Sequence, residues 1–248
     1  MGKIVAIGGG EIKNHETLTF DKRVVELTNK TNPKALFIPT ASKEATGYIE
    51  TFKNIYGHHL GCNPDVLYLL SKKPDFEEIK EKILGSDLIY VGGGNTLKMM
   101  KKWRKLGVDK LLEQAHQNGT VLSGLSAGSI CWFEAGHSDS MSFKSEDNRK
   151  YIKVRGLGLL KGIHCPHFSN QERIKDFEEF IKKYKDIGIA ISDNCAIEFI
   201  DNKFKVLSDS EENKAYKVFY NKKQKQVIKK EIPKFREFID ISFLYDNN

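Results

Sequence analysis

Residues 120 to 130 read Thr-Val-Leu-Ser-Gly-Leu-Ser-Ala-Gly-Ser-Ile, an apolar strand running into Gly124-Leu125-Ser126-Ala127-Gly128. This is the GxSxG spacing of a nucleophile elbow. A side chain on a tight strand-to-helix turn has close neighbours on both sides, so small flanking residues let the Ser126 hydroxyl project beyond the sheet. The helix that follows begins near Ala127, and its first amides favour developing negative charge. The plainer alternative is a glycine-rich turn whose serine caps a helix.

A second run, Tyr90-Val91-Gly92-Gly93-Gly94-Asn95-Thr96, is a strand ending in three glycines beside a helix start. It lacks the Lys-Ser/Thr of a P-loop and the full GxGxxG spacing. An N–H of Gly93 or Gly94, with that of Ala127, could instead form an oxyanion hole, each donor being worth ~3 kcal/mol in a transition state. A serine hydroxyl also needs a base. His164 and His167 stand together in Ile163-His-Cys-Pro-His-Phe168. Three apart on an extended segment they point to opposite faces, so only one can face Ser126. The same geometry argues against His164, Cys165 and His167 as metal ligands, and no second ligand pair is evident; no metal or other cofactor is expected.

The elements that must position these residues follow the alternation of a parallel sheet buried between helices. Strands are expected at 4–7, 35–38, 66–70, 88–91 and 121–125, and helices at 17–29, 45–56, 75–84, 96–105 and 109–117. Gly8-Gly9-Gly10, Pro39, Gly92-Gly93-Gly94 and Ser126 all fall at strand carboxyl ends, where open α/β sheets bind ligands. Residues 134–153 form a polar stretch, expected to be functional or mobile and to lie over the pocket as a lid. Beyond it a strand at 162–168 and a helix at 170–185 precede late strands at 188–191, 196–200, 204–207 and 216–220. The lysine-rich segment Lys222–Lys230 reads as a hairpin tip. One α/β domain over residues 1–248 is the simplest division, and the late hairpins offer an edge on which a homodimer could form.

Composition narrows the partners. The net charge of +7 is spread over lysines interleaved with acids, without stacking aromatics or a recognition motif, so nucleic acid is not expected. No apolar run approaches the ~20 residues that span a bilayer, and the amino terminus enters a strand without a signal-peptide pattern. Four cysteines without close pairs favour reduced thiols and a cytoplasmic protein.

Val91-Gly-Gly-Gly-Asn-Thr96, Gly124-Leu-Ser-Ala-Gly128 and Pro166-His-Phe168, in this order and register, resemble the signatures of the dipeptidase E and cyanophycinase family of serine peptidases. Gly156-Leu-Gly-Leu-Leu160 and the run from Ser169 to Arg173 are similar to the cyanophycinase branch. The resemblance implies a class I glutamine-amidotransferase-like fold: a three-layer α/β sandwich with a mostly parallel central sheet, a flavodoxin-like core and late β-hairpins. It implies Ser126 as nucleophile and His167 as base, leaving His164 as a supporting, substrate-facing or surface residue. Two acids then compete to orient His167. Asp193, at the end of a strand, matches a triad glutamate of dipeptidase E, and Asp139 matches a second acid linked to activity. The implied substrate is a small peptide with an amino-terminal aspartate, or an aspartate-linked polymer. Arg149, Arg155 and Arg173 are candidates for binding the acidic group, with solvated surface charge as the alternative for each. The same catalytic parts would also serve an esterase or amidase, and the glycine loops alone could belong to a silent anion- or nucleotide-binding module.

Overall fold

A computed structural model of the chain describes residues 2–141 and 150–246. In chain order the strands are β1 (Lys3–Ile7), β2 (Lys34–Ile38), β3 (Asn63–Val66), β4 (Leu88–Val91), β5 (Val121–Leu125), β6 (Phe133–Ser138), β7 (Ile152–Arg155), β8 (Leu160–Cys165), β9 (Gly188–Ile191), β10 (Ala196–Ile200), β11 (Lys203–Leu207), β12 (Ala215–Asn221), β13 (Gln226–Ile232) and β14 (Ile239–Asp240). The helices are α1 (Leu18–Glu26), α2 (Thr46–Phe52), continued by a π-helical stretch Lys53–His59, then α3 (Phe76–Leu84), α4 (Thr96–Leu106), α5 (Val108–Gln117), α6 (Ala127–Ile130), α7 (Gln171–Tyr184) and α8 (Ser242–Tyr245). No helix among the described residues is long and apolar enough to cross a membrane.

The strands form two sheets. In the larger, ordered β14-β11-β10-β1-β5-β4-β2-β3, the five strands from β1 to β3 are parallel, and β10, β11 and β14 continue it antiparallel. The second sheet, β13-β12-β9-β8-β6-β7, has a parallel centre of β6, β8 and β9 with antiparallel flanks. The α/β class is as expected, but the strands are mixed rather than mostly parallel, and the expected central sheet is accompanied by a second. Residues 134–153 are also not one open polar stretch. Residues 134–138 of β6 and 152–153 of β7 fall inside them and belong to one antiparallel pair of strands, so both ends of the expected lid are sheet. Its middle, and Arg149, lie outside the described residues.

β1, β4 and β5 carry almost wholly buried runs because they lie inside the sheet, with side chains covered on both faces. The largest apolar cluster joins them to the second sheet, taking Ile4, Val91 and Leu122 together with Phe133, Ile189 and Ile191. Helices α3, α4 and α7 begin at Asp75, Asn95 and Asn170, whose side chains accept from the amides of Glu78, Lys98 and Arg173. The Asn95 cap matters for the site: it ends the Gly92–Gly94 loop where α4 begins, and its Nδ2 also donates to the Ser140 carbonyl.

Candidate active site

Ser126 sits where β5 turns into α6, with φ 54° and ψ −110°. Positive φ is costly for a residue with a Cβ and persists only where its surroundings impose it. They do so here through glycine. A Cβ on Gly124 would stand 2.3 Å from the Gly128 carbonyl oxygen, and one on Gly128 would stand 2.0 Å from that of Val91. Both glycines of the GxSxG pattern are therefore demanded by the close approach of strand and turn. The Ser126 amide donates to Ile7 on β1, and its carbonyl accepts from the amides of Ser129 and Ile130, closing the turn. α6 is only four residues long, so it offers the first amides of a single turn rather than the field of a long helix.

His167 follows β8 and also has positive φ, 52°. Its amide donates to the Gly8 carbonyl, and the amide of Phe168 donates to Ile191 at the end of β9. The ring lies between two partners. The Ser126 hydroxyl donates to Nε2 across 2.9 Å, and Nδ1–H donates to an Asp193 carboxylate oxygen across 2.5 Å. Asp193 sits two residues past β9, where its amide donates to the Ser169 hydroxyl. Burial works to raise its carboxyl, but the hydrogen bond and charge of His167, with smaller help from Ser169 and Arg173, hold it below the usual carboxylate range. A carboxylate, an imidazole and a hydroxyl linked in this order can carry a proton away from the hydroxyl as it attacks.

Asp139 is not brought to His167. Its carboxylate lies 3.9 Å from the Arg173 guanidinium. Arg173 is itself buried, donates to the His137 carbonyl and stacks over Tyr151. Arg155 lies on β7 beside a separate surface depression with Lys153 and Asp186. Neither arginine lines the cavity at Ser126. His164 faces away from His167: Nδ1 meets the Ile189 carbonyl at 2.9 Å and Nε2 meets the Ser129 hydroxyl at 2.8 Å. Its burial depresses the imidazole to about 3, so the ring is neutral. The two rings are thus turned to different partners.

Two of the three glycines after β4 divide the work at the site. Gly93 lies against the nucleophile, with the Ser126 Cβ 3.5 Å from where its own would be. Gly94, at φ +134°, packs on Ala41, whose carbonyl oxygen would stand 2.2 Å from an added Cβ. The Ala127 amide, first in its turn, belongs to the group left without an intrahelical acceptor.

Ser126, His167 and Asp193 open into a cavity of about 890 Å³, which Gly93, Gly94 and Leu125 also line. Among its other wall residues, sequence reasoning did not single out Glu11, Lys13 and Glu16 from the segment after β1, or Tyr48 from α2. The Glu16 carboxylate accepts from the Glu11 amide at 2.8 Å, which fixes its position. Burial pushes the Tyr48 phenol up to about 12, so it stands as a neutral aromatic wall. The one available signal was positional: residues 11–16 directly follow the first glycine-ended strand.

A protein of Bacillus subtilis named as uncharacterized peptidase YgaJ is 34% identical over 222 residues, covering 88% of this chain and 92% of that protein. An uncharacterized peptidase of Pasteurella multocida is 28% identical over 184 residues, covering 72% and 86%. Two crystal structures share the fold. A peptidase from an acI-B1 Actinobacterium has a TM-score of 0.71 at 21% identity, covering 97% of each chain. A putative peptidase E protein from Listeria monocytogenes has a TM-score of 0.64 at 22% identity, covering 85% of this chain and all of that one. Residues 4–207, which hold every part of the site described above, match peptidase family S51, and the chain belongs to that family.

Proposed function

We propose that the chain is a serine peptidase that hydrolyses small peptides from a free amino terminus through an acyl-enzyme. The observation that carries this reading is the continuous hydrogen-bonded line from Ser126 through His167 to Asp193. Ser126 Oγ attacks the scissile carbonyl carbon while His167 Nε2 takes the hydroxyl proton. Asp193 holds Nδ1–H and stabilises the imidazolium. The amides of Ala127 and Gly93 receive the oxyanion, with Gly94 shaping the loop that presents Gly93. His167 then gives its proton to the leaving amine, the C–N bond breaks, and a water activated by the same imidazole opens the ester.

The cavity's charges support a zwitterionic substrate end. Glu11 and Glu16 suit an α-ammonium, and Lys13, the cation of the lining, suits an acidic side chain beside it. Four cysteines, all free and buried, accord with a reducing, cytoplasmic setting. The reading is tested by a fluorophosphonate probe and a peptide panel with free and blocked amino termini. Labelling at Ser126, with hydrolysis of free-ended peptides that Ser126→Ala abolishes, is the expected result. Preference for blocked peptides or simple esters would overturn the exopeptidase reading in favour of a general acyl hydrolase. An unlabelled Ser126 would overturn the hydrolase altogether.

A further inference from the structure

The triad is carried by three separate chain segments: Ser126 ends β5, His167 follows β8 and Asp193 follows β9. A second line of contacts, carried by the buried residues Ser129, His164 and Ile189, joins the same three segments. From Ile189 on β9, the carbonyl oxygen meets His164 Nδ1 at 2.9 Å. From His164 on β8, Nε2 meets Ser129 Oγ at 2.8 Å. Ser129, on α6, reaches back to the Ser126 carbonyl at 2.7 Å. His164 and Ser129 each stand three residues from a triad member, and Ile189 stands four from the third. We propose that His164 is a positioning residue, which through Ser129 ties together the three segments that present Ser126, His167 and Asp193 and so sets their spacing. This rests on the peptidase reading of the same site.

The chemistry of the brace is definite. His164 is inaccessible to solvent, its ring stacked on Phe133 with centroids 4.7 Å apart. It is neutral and carries one ring proton, which goes to the Ile189 carbonyl because that oxygen can only accept. Nε2 is then an acceptor, and the hydroxyl proton of Ser129 satisfies it. The Ser126 carbonyl already accepts two amide hydrogens, so it tolerates sharing the Ser129 proton with the imidazole. A side chain without an acceptor facing Ser129 would remove the buried side-chain tie from the turn to β8 and β9. The strained backbone of Ser126 is the part of the site most dependent on such outside support.

Ser123 supplies an internal control. It is equally buried, three residues before the nucleophile on β5, and its hydroxyl likewise donates to a backbone carbonyl, that of Val5, but it lies outside the brace. The experiment compares Ser129→Ala, His164→Asn and Ser123→Ala. Asn at 164 can keep a donor for Ile189 while withdrawing the contact to Ser129. We expect Ser129→Ala and His164→Asn each to lower kcat and the fluorophosphonate labelling rate at least about tenfold with KM little changed. The double variant should be no worse than either alone, as for members of one network. Ser123→Ala should keep kcat at whatever melting temperature it shows. In crystals of Ser129→Ala the Ser126 to His167 contact should open beyond hydrogen-bond reach. Labelling and kcat in Ser129→Ala no different from Ser123→Ala, with that contact still at 2.9 Å, would overturn the brace. The crystallographic arm decides the brace even if the parent protein proves inert to peptides and probe, a result that would overturn the peptidase reading instead.

Discussion

Gly9 stands so close to Asp193 that a Cβ on it would lie 1.8 Å from the carboxylate oxygen Oδ1 and 2.4 Å from Nδ1 of His167. The backbone after β1 is thus the floor on which the acid and imidazole meet. Gly8 accepts from the His167 amide and Gly9 from that of Asn194, so the same loop anchors both partners. Gly9→Ala is expected to push the carboxylate and ring apart and to cut kcat by about 10²-fold or more, the usual consequence of an ångström-scale displacement at a reacting group. Circular dichroism should remain native, since the displacement is confined to the residues around one loop. Turnover within a few-fold of the parent would show that the pair does not need this floor.

Asp193 and Asp139 can be told apart by the same change at each. Asp193→Asn leaves a side chain of the same shape but turns the imidazole toward the wrong tautomer, a defect worth about 10⁴ in kcat in a serine triad. Asp139→Asn loosens a 3.9 Å ion pair with Arg173. It is expected to change kcat less than about tenfold. Steady-state kinetics on one peptide would settle it, and a larger loss at Asp139 would reverse the assignment. The carboxyl of Asp193 lies below its ordinary range when folded, so its contribution to stability is complete above the unfolded pKa and disappears as pH falls through the lower folded value.

Asp21 behaves in the opposite sense. It is buried in α1, accepting from the Tyr56 and Thr17 hydroxyls at 2.8 Å each, yet desolvation outweighs both and raises its pKa from 3.8 to about 6. A raised carboxyl favours the folded state in its protonated form. The benefit is full below the unfolded pKa and is lost as pH rises through about 6. Ionised Asp21 should therefore cost on the order of 3 kcal/mol at neutral pH. Asp21→Asn keeps the shape and can still accept from Tyr56. Its melting temperature should exceed the parent's at pH 8, and the advantage should shrink toward pH 5. An equal difference at both pH values would show that the carboxyl does not titrate between them.

The parts of the candidate site were legible in the sequence because each is local. Gly124 to Gly128, Gly92 to Gly94 and the His167 segment each encode a tight turn within a few residues, and the fold needs only to bring strand ends to one edge. What sequence could not show depends on distant neighbours. The strand expected at 66–70 is found at Asn63–Val66. Leu67 and Leu69 are buried, so their apolar character was read correctly, but they leave the ladder; the real strand contains Pro64, tolerable because β3 is the sheet's edge. The second sheet was hidden because β7 is only four residues long and its partner β6 runs from Phe133 into the polar stretch. Arg173 looked like a surface cation, and only the fold reveals that Tyr151 and the His137 carbonyl bury it.

Substrate preference follows from the three charged side chains that line the cavity outside the triad, Glu11, Lys13 and Glu16. Lys13 is exposed on a 3-10 turn directly after the Gly8–Gly10 loop, and among the described residues it is the only lysine or arginine that lines the cavity. If it holds an acidic side chain at the substrate's first residue, Lys13→Glu places a third carboxylate beside Glu11 and Glu16. Hydrolysis of peptides beginning with Asp should then fall at least about tenfold in kcat/KM, while those beginning with Lys or Arg gain. Glu11→Gln should narrow the gap between free and blocked amino termini without altering that side-chain preference. The effects should fade as salt rises, because these groups sit at a solvent-facing rim. Comparing Asp-, Ala- and Lys-initiated peptides across the parent and both variants separates the two roles. Unchanged ratios in Lys13→Glu would move acidic recognition away from this wall of the cavity.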